Sequence, residues 1–217
     1  MEQDKLDQQS QHWEKNFLNK PEMFGLEPSI AAIKALKVFK KKKIKNIIEL
    51  GAGLGRDTIF FAQNSIHVHA LDYSEAAVDI IKKKAKKLDL TNFIQTKVFD
   101  IRKKLSFDND IFEGCFSHML YCMALSNHNL QNLNDEIYRI LKTKGINIYT
   151  VRNFDDGDYK NGIHRGEDLY ENDGFIVHFF SIDKIKKLSK GFKILNIDSF
   201  DEGPFPRKLL FAQNQKK

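Results

Sequence analysis

The chain has 217 residues, 41% of them hydrophobic, which is enough to bury one core and too little for two ordinary domains with separate cores. A formal charge of +6 permits an anionic partner, but the lysine runs at 40–45 and 82–87 fall on helix surface with few aromatics interleaved, which disfavours a nucleic-acid groove. No apolar stretch approaches the roughly 20 residues of a membrane span, the polar start MEQDKLDQQSQHW shows no leader pattern, and Cys115 and Cys122 suit a reducing compartment rather than a disulfide framework or a zinc site. A cytoplasmic protein is expected.

Trp13, Phe17, Met23 and Phe24 come first, ahead of a segment that Ser29 caps and that places Ile30, Ile33 and Leu36 on one face. The aromatic stretch reads either as a helix packed on the sheet or as a flap over a pocket. Residues 45–50 (KNIIEL) predict a first strand, followed by a glycine turn and a helix over 56–64. A second strand at 66–71 ends at Asp72, and Ser74 then caps a helix with Ala77, Val78, Ile81, Ala85 and Leu88 as its apolar stripe. Strands follow at 93–99 and 111–117. Leu130, Leu133, Ile137, Ile140 and Leu141 line a helix expected to stop near Gly145, with a fifth strand at 146–151.

Residues 153–174, rich in Asp, Gly and Asn, read as irregular, and a segment of that length inside a compact domain suggests a lid over a ligand. A helix over 182–188 and strands near 192–197 and 208–212 complete the chain, the last two joined through Asp201, Gly203 and Pro204 as an antiparallel hairpin. The class is α/β: a Rossmann-like seven-stranded, mostly parallel sheet with an antiparallel edge hairpin and helices on both faces. One domain is expected over 1–217, with an N-terminal helical flap at 1–44, a cofactor-binding core at 45–151, and a substrate loop and C-terminal strands at 152–217.

The most informative segment is ELGAGLGRD, Glu49 to Asp57, where a strand runs into a glycine-rich turn and then a helix. Glycines let the backbone turn tightly beside a ligand, and a helix N-terminus offers unpaired N–H groups to an anion. Asp72 ends the next strand, where a carboxylate can accept ribose hydroxyls. A nicotinamide enzyme shares this logic, but its GxGxxG fingerprint requires glycine where this chain has Arg56.

ELGAGLGRD together with LDYS resembles motifs I and II of the class I S-adenosylmethionine-dependent methyltransferases, and the resemblance extends over roughly 45–151. It implies S-adenosylmethionine as the methyl donor, held by Glu49, Gly51, Ala52, Gly53, Gly55 and Asp57 around the methionine part and by Asp72 and Tyr73 at the ribose. Phe99-Asp100-Ile101 resembles the loop that meets the adenine, and Ser117-His118-Met119-Leu120-Tyr121 the fourth-strand end facing the donor. Trp13 is expected to close over the cofactor. The segment EIYRILKTKG, 136–145, resembles a helix ending in LKPGG, with Thr143 and Lys144 in place of Pro and Gly.

The tail and the early HWEKNF are similar in texture to small-molecule methyltransferases of the tellurite-resistance and thiopurine types, which implies a small acceptor such as a thiol or metalloid. SHMLY lacks the Asn/Asp-Pro-Pro-Tyr/Phe motif of amino methyltransferases acting on exocyclic or amide nitrogens. An acceptor that must lose a proton would need a base, for which His118 and His164 are candidates, with Tyr121 beside them. Arg152, Arg165 and Glu167 are expected to contact the acceptor. His67 and His69 share a strand face without a third ligand and read as structural, as do Cys115, Cys122 and a half-buried His178; no metal site is expected. The alternatives are an RNA-binding protein or RNA methyltransferase, suggested by charge alone, and an NAD-dependent oxidoreductase.

Overall fold

The structure, a computed structural model, describes residues 3–203 and 207–217, with side chains from residue 7 onward. Pro204 of the expected hairpin turn lies outside the described residues. The chain order begins α1 (Gln3–Asn19), α2 (Ile30–Lys42), β1 (Asn46–Leu50), α3 (Arg56–Gln63), β2 (His67–Asp72), α4 (Glu75–Lys87), β3 (Ile94–Val98) and β4 (Phe112–Ser117). It continues with α5 (Asn127–Ile140), β5 (Leu141–Arg152), β6 (Ile163–His164), β7 (Leu169–Asn172), β8 (Phe175–His178), α6 (Ile182–Leu188), β9 (Phe192–Glu202) and β10 (Arg207–Lys216).

The main sheet has seven strands in the order β3-β2-β1-β4-β5-β10-β9. The first five are parallel, and β10 runs antiparallel to both β5 and β9. This is the fold class expected. Alternation along each strand divides the core into two layers, because successive side chains leave opposite faces. Ile47, Val68, Ala70, Phe116, Ile148 and Phe211 pack under α2, α3 and α4. Their neighbours Ile48, Leu71, Cys115, Tyr149 and Leu210 pack under α5 and α6. In the first layer Phe61 is fully buried, with its ring centroid 5.0 Å from that of Phe116 and 5.7 Å from that of Phe39. Truncating such a ring to alanine costs about 3–5 kcal/mol.

Serine caps fix the helix starts. Ser29, Ser74, Ser126 and Ser181 each accept a hydrogen bond from a first-turn amide. Two expected apolar stripes need correction. Ile30 and Ile33 are 43% and 41% exposed, and α2 instead buries Ala31, Ala32, Ala35, Leu36 and Phe39. Small alanines face the sheet because the helix lies close to it. Leu88, at the C-cap of α4, is likewise exposed.

Helix α5 stops at Ile140, five residues short of Gly145. The carbonyls of Arg139 and Ile140 accept the amides of Asp110 and Ile111, and Leu141 already pairs with Phe112. LKTKG therefore forms the irregular start of β5, with Lys144 at φ +65° and the register shifting before Gly114 meets Ile146. Residues 153–174 are also less irregular than expected: β6, β7 and β8 form a small antiparallel sheet. Its β7–β8 turn is Asp173-Gly174, both at positive φ, a hairpin signal legible in the sequence as NDG.

Candidate active site

The parallel strands end on one side of the sheet, and the order reverses between β1 and β4, the switch point where open α/β sheets hold ligands. A cleft of about 770 Å³ lies there. It is large enough for a nucleoside-sized ligand with a second small molecule beside it.

The glycine turn forms one wall. Gly51 and Ala52 donate their amides to Leu71 O at 2.8 and 3.1 Å, and Gly53 donates to Asp72 Oδ2 at 2.8 Å. Asp72 Oδ1 accepts the Ser74 amide at 3.0 Å. Asp72 thus clamps the turn to the start of α4 and keeps lone pairs for a ligand. Gly51 and Gly53 sit at φ +68° and +52°, a region that favours glycine. The start of α3, at Gly55, has no side-chain cap, so its first amides remain as donors for an anionic group.

Three carboxylates crowd this end. Glu49 Oε2 accepts from Thr58 Oγ1 at 2.6 Å, and both oxygens of Asp57 are taken by the Ser29 amide and hydroxyl at 2.7 and 2.8 Å. Burial, with Asp57 second, holds Glu49 well above the usual carboxylate range. Burial also pushes Asp72 up to about 6. A cationic ligand would relieve both, since opposite charge favours the ionised form. S-adenosylmethionine, with its ammonium and sulfonium charges and its ribose, fits this donor and acceptor set.

Of the expected cofactor residues, Trp13, Glu49, Gly51, Ala52, Gly53 and Asp57 line the cleft, as do Asp72, Tyr73 and Ile101. Three expected ones do not. A Cβ on Gly55 would lie 2.5 Å from Ile81 Cγ1, so that glycine serves close packing of α3 on α4. Asp100 is turned to Arg102, which donates to it through Nε at 3.0 Å and Nη2 at 2.6 Å, and Phe99 and Ile101 line the cleft in its place. Ser117 is fully buried, and its Oγ faces no partner among the described residues.

The expected acceptor residues divide similarly. His118 and Arg152 line the cleft. Arg152 is buried and already paired with Asp156 and Asp158, with its guanidinium 5.3 Å from the centre of the Phe179 ring. Tyr121 belongs to the core, where its ring stacks on Tyr149 at 4.1 Å and burial raises its hydroxyl well above the usual range. His164 is exposed on β6 and bonds Glu167 O at 3.0 Å. Arg165 pairs with Glu171, and the Glu167 carboxylate accepts the Asn127 amide at 2.9 Å. None of these last four lines the cleft. His178 is fully buried, not half-buried, its Nδ1 2.6 Å from Leu125 O. Cys115 and Cys122 are buried free thiols that burial raises above the usual range. His69 packs edge-on against Phe107 and Phe112, and no metal-ligating cluster occurs among the described residues.

Sequence reasoning missed several lining residues. Glu202 and Arg207 come from the β9–β10 hairpin, Tyr170, Phe175 and Phe179 from the small sheet and its exit, and Arg56 from the start of α3. Glu202 Oε1 accepts from Arg56 Nη2 at 3.1 Å, and its Oε2 lies 3.4 Å from His118 Nε2. His118 Nδ1 is 2.9 Å from Thr150 Oγ1, which also accepts the Met119 amide at 2.9 Å. Burial first, then the charges of Arg56 and Arg207, lowers His118 to about 3, so it is neutral at physiological pH. Burial raises Glu202 against the opposing charge of Arg56.

Helix α1 roofs the cleft. Trp13 and Phe17 meet at 5.3 Å and Trp13 and Phe175 at 4.8 Å. Gln9 exchanges hydrogen bonds with Gly174 O and the Ile176 amide, and Glu14 accepts the Ala76 amide at 3.1 Å. The helix therefore bridges the small sheet and the start of α4.

Residues 47–145 match the family model for a methyltransferase domain. No curated protein sequence matches the chain. Among solved structures, the chain is similar to Burkholderia thailandensis 1,6-didemethyltoxoflavin-N1-methyltransferase, determined with 1,6-didemethyltoxoflavin and S-adenosylhomocysteine, at 14% identity and TM-score 0.76, covering 96% of this chain and 87% of that one. It is similar to TehB from Haemophilus influenzae at 15% identity and TM-score 0.66, covering 94% and 67%. It is also similar to the cyclase SpnF at 14% identity and TM-score 0.73, covering 96% and 95%. Likeness at this identity establishes the fold and leaves the chemistry to the site. The family-model match is confined to residues 47–145, and the chain shares its fold with these solved structures.

Proposed function

We propose that the chain transfers a methyl group from S-adenosylmethionine to a small-molecule acceptor held in the same cleft. The observation that carries this reading is the meeting, at the β1/β4 switch point, of the Asp72-clamped glycine turn with an acidic cluster. Asp72 would hold the ribose hydroxyls, Glu49 the amino group, and the amides around Gly53 and the start of α3 the carboxylate. Tyr73, Phe99 and Ile101 would flank the adenine, and Trp13 and Phe17 would cover the donor. The bound donor supplies a methyl group already activated by its positive sulfur. The protein then has to align the acceptor and exclude water, effects that can supply roughly 7–11 kcal/mol.

Two readings of the acceptor stand. A thiol or metalloid has in its favour the resemblance of the tail and of HWEKNF to methyltransferases of the tellurite-resistance and thiopurine types. A ring nitrogen or hydroxyl has the likeness to the toxoflavin-precursor methyltransferase and the polar groups around His118 in its favour. The whole chain acts as one unit in this reading, with the flap at 1–44, the cofactor core at 45–151 and the acceptor elements at 152–217.

The two buried free thiols suit a reducing cytoplasm, and no helix among the described residues is long and apolar enough to cross a membrane. The aromatic cleft is shaped for a small molecule rather than for a nucleic-acid strand. Calorimetric titration with S-adenosylhomocysteine tests the reading; absence of binding, with NAD binding in its place, would overturn it.

A further inference from the structure

We infer that Glu202 and His118 together receive the proton-bearing group of the acceptor, which is therefore a flat N–H or O–H compound and not a thiol; this rests on the methyltransferase reading above. Glu202 is the last residue of β9, paired with Arg207 across the hairpin, and Arg56 fixes its Oε1. Arg56 is itself held by Phe24 O at 2.9 Å. The Oε2 atom is buried in the cleft wall with no well-directed donor on it among the described residues, the Ile30 amide interacting with the carboxylate only weakly. A buried carboxylate oxygen without a well-directed donor is costly, and a ligand N–H or O–H would satisfy it.

His118 Nε2 faces the same point from 3.4 Å. Its Nδ1 meets the hydroxyl of Thr150, which can donate or accept, so the ring is satisfied in either tautomer. The charged groups facing this ring are Glu202 on β9, Arg56 on α3 and Arg207 on β10. Burial and the two arginines oppose an imidazolium, so the ring stays neutral and the carboxylate beside it is the group that takes the proton. The neighbouring walls, Phe24, Met119, Tyr170, Phe175 and Phe179, suit a planar body. A thiol arriving as its thiolate would bring a negative charge against Glu202, and in its S–H form it is only a weak donor to that oxygen.

The step balances as follows. A lone pair on the acceptor nitrogen or oxygen forms the bond to the methyl carbon, and the electrons of the broken carbon–sulfur bond leave with S-adenosylhomocysteine. The proton lost by the acceptor passes to Glu202 Oε2, with His118 Nε2 positioned 3.4 Å from that oxygen.

Wild-type protein, E202Q and H118N are titrated by calorimetry with S-adenosylhomocysteine. With that product bound, each is titrated with benzimidazole, 4-nitrophenol, their methylated counterparts and thiophenol. The wild type should prefer an unmethylated N–H or O–H probe over its methylated counterpart by about tenfold or more, and E202Q should lose that preference. Affinity for S-adenosylhomocysteine should stay within about twofold in E202Q, since the glutamine keeps the oxygen that accepts from Arg56. Methylation of the preferred probe should fall about 100-fold or more in both variants. Retention of the preference by E202Q, or methylation of thiophenol alone at equal rates in wild type and E202Q, would overturn the inference while leaving the methyltransferase reading intact. Failure of the wild type to bind S-adenosylhomocysteine would overturn that reading, and this inference with it.

Discussion

Replacing Gly53 and Gly55 by alanine, one at a time, separates the ligand-facing part of the glycine turn from its scaffolding part. A Cβ on Gly53 meets only Phe17 Cζ, at an ordinary 3.8 Å. Its cost to the fold is then the positive φ of +52° alone, about 1–2 kcal/mol for an L residue. In a chain of this length that lowers Tm by roughly 2–8 °C. Gly55 has a comparable φ of +78°, but its Cβ would lie 2.5 Å from Ile81 Cγ1 and 3.3 Å from Cδ1. Overpacking adds about 1–3 kcal/mol to the same strain.

G55A should therefore melt below G53A, while binding should rank the other way. The Cβ of G53A stands in the cleft beside the amide that Asp72 holds, and it should weaken S-adenosylhomocysteine more than about tenfold. G55A, assayed well below its Tm, should bind nearly as the wild type does. Differential scanning fluorimetry and calorimetry on the two proteins decide the matter. Wild-type affinity in G53A, or a Tm for G55A at or above that of G53A, would refute the division of labour.

Three further outcomes follow from the site. Asp72→Asn should weaken S-adenosylhomocysteine by about 1.5–3 kcal/mol at pH 7. In the wild type that affinity should fall as pH drops below about 6, where Asp72 takes up a proton, by at most about tenfold per unit; the variant should lose the part due to Asp72 and keep the part due to Glu49, as calorimetry across pH 5–8 would show. For the unliganded fold the sign reverses: a carboxyl raised from 3.8 to about 6 adds stability below the lower value, and that contribution is lost as pH rises through the upper one. Arg152→Met should destabilise the fold by about 3–5 kcal/mol in urea melts, because it strands buried Asp156. His164→Ala and Arg165→Ala should leave turnover within about twofold and cost at most about 1 kcal/mol, since the one is exposed and the other makes a half-exposed ion pair.

What the sequence made legible was local. The strand–glycine–helix turn, the caps at Ser29 and Ser74 and the antiparallel hairpin follow from spacing and residue type, and Gly51, Gly53 and Asp72 line the cleft. Asp100 does not line the cleft because Arg102, two residues on, captures its carboxylate. Tyr121 reads as a polar tip in sequence, but the fourth-strand end turns inward there and buries the ring on Tyr149. Glu202 and Arg207 were out of reach because their position depends on strand register. Leu209 pairs with Arg152, the last residue of β5, so Glu202 and Arg207 lie past the end of that strand, where the cleft is. The small sheet did leave a local sign, Asp173-Gly174 between Asn172 and Phe175, which the polar composition around it masked.

The central claim is that this cleft holds S-adenosylmethionine for transfer of its methyl group. Incubation of the purified chain with methyl-labelled S-adenosylmethionine and a panel of small heteroaromatic, phenolic and thiol acceptors, followed by mass spectrometry of both products, tests it most directly. Label should appear on one acceptor class in step with S-adenosylhomocysteine, and D72A should lose both signals together. Tight binding of the donor with no acceptor labelled, or label transfer unchanged in D72A, would contradict the account.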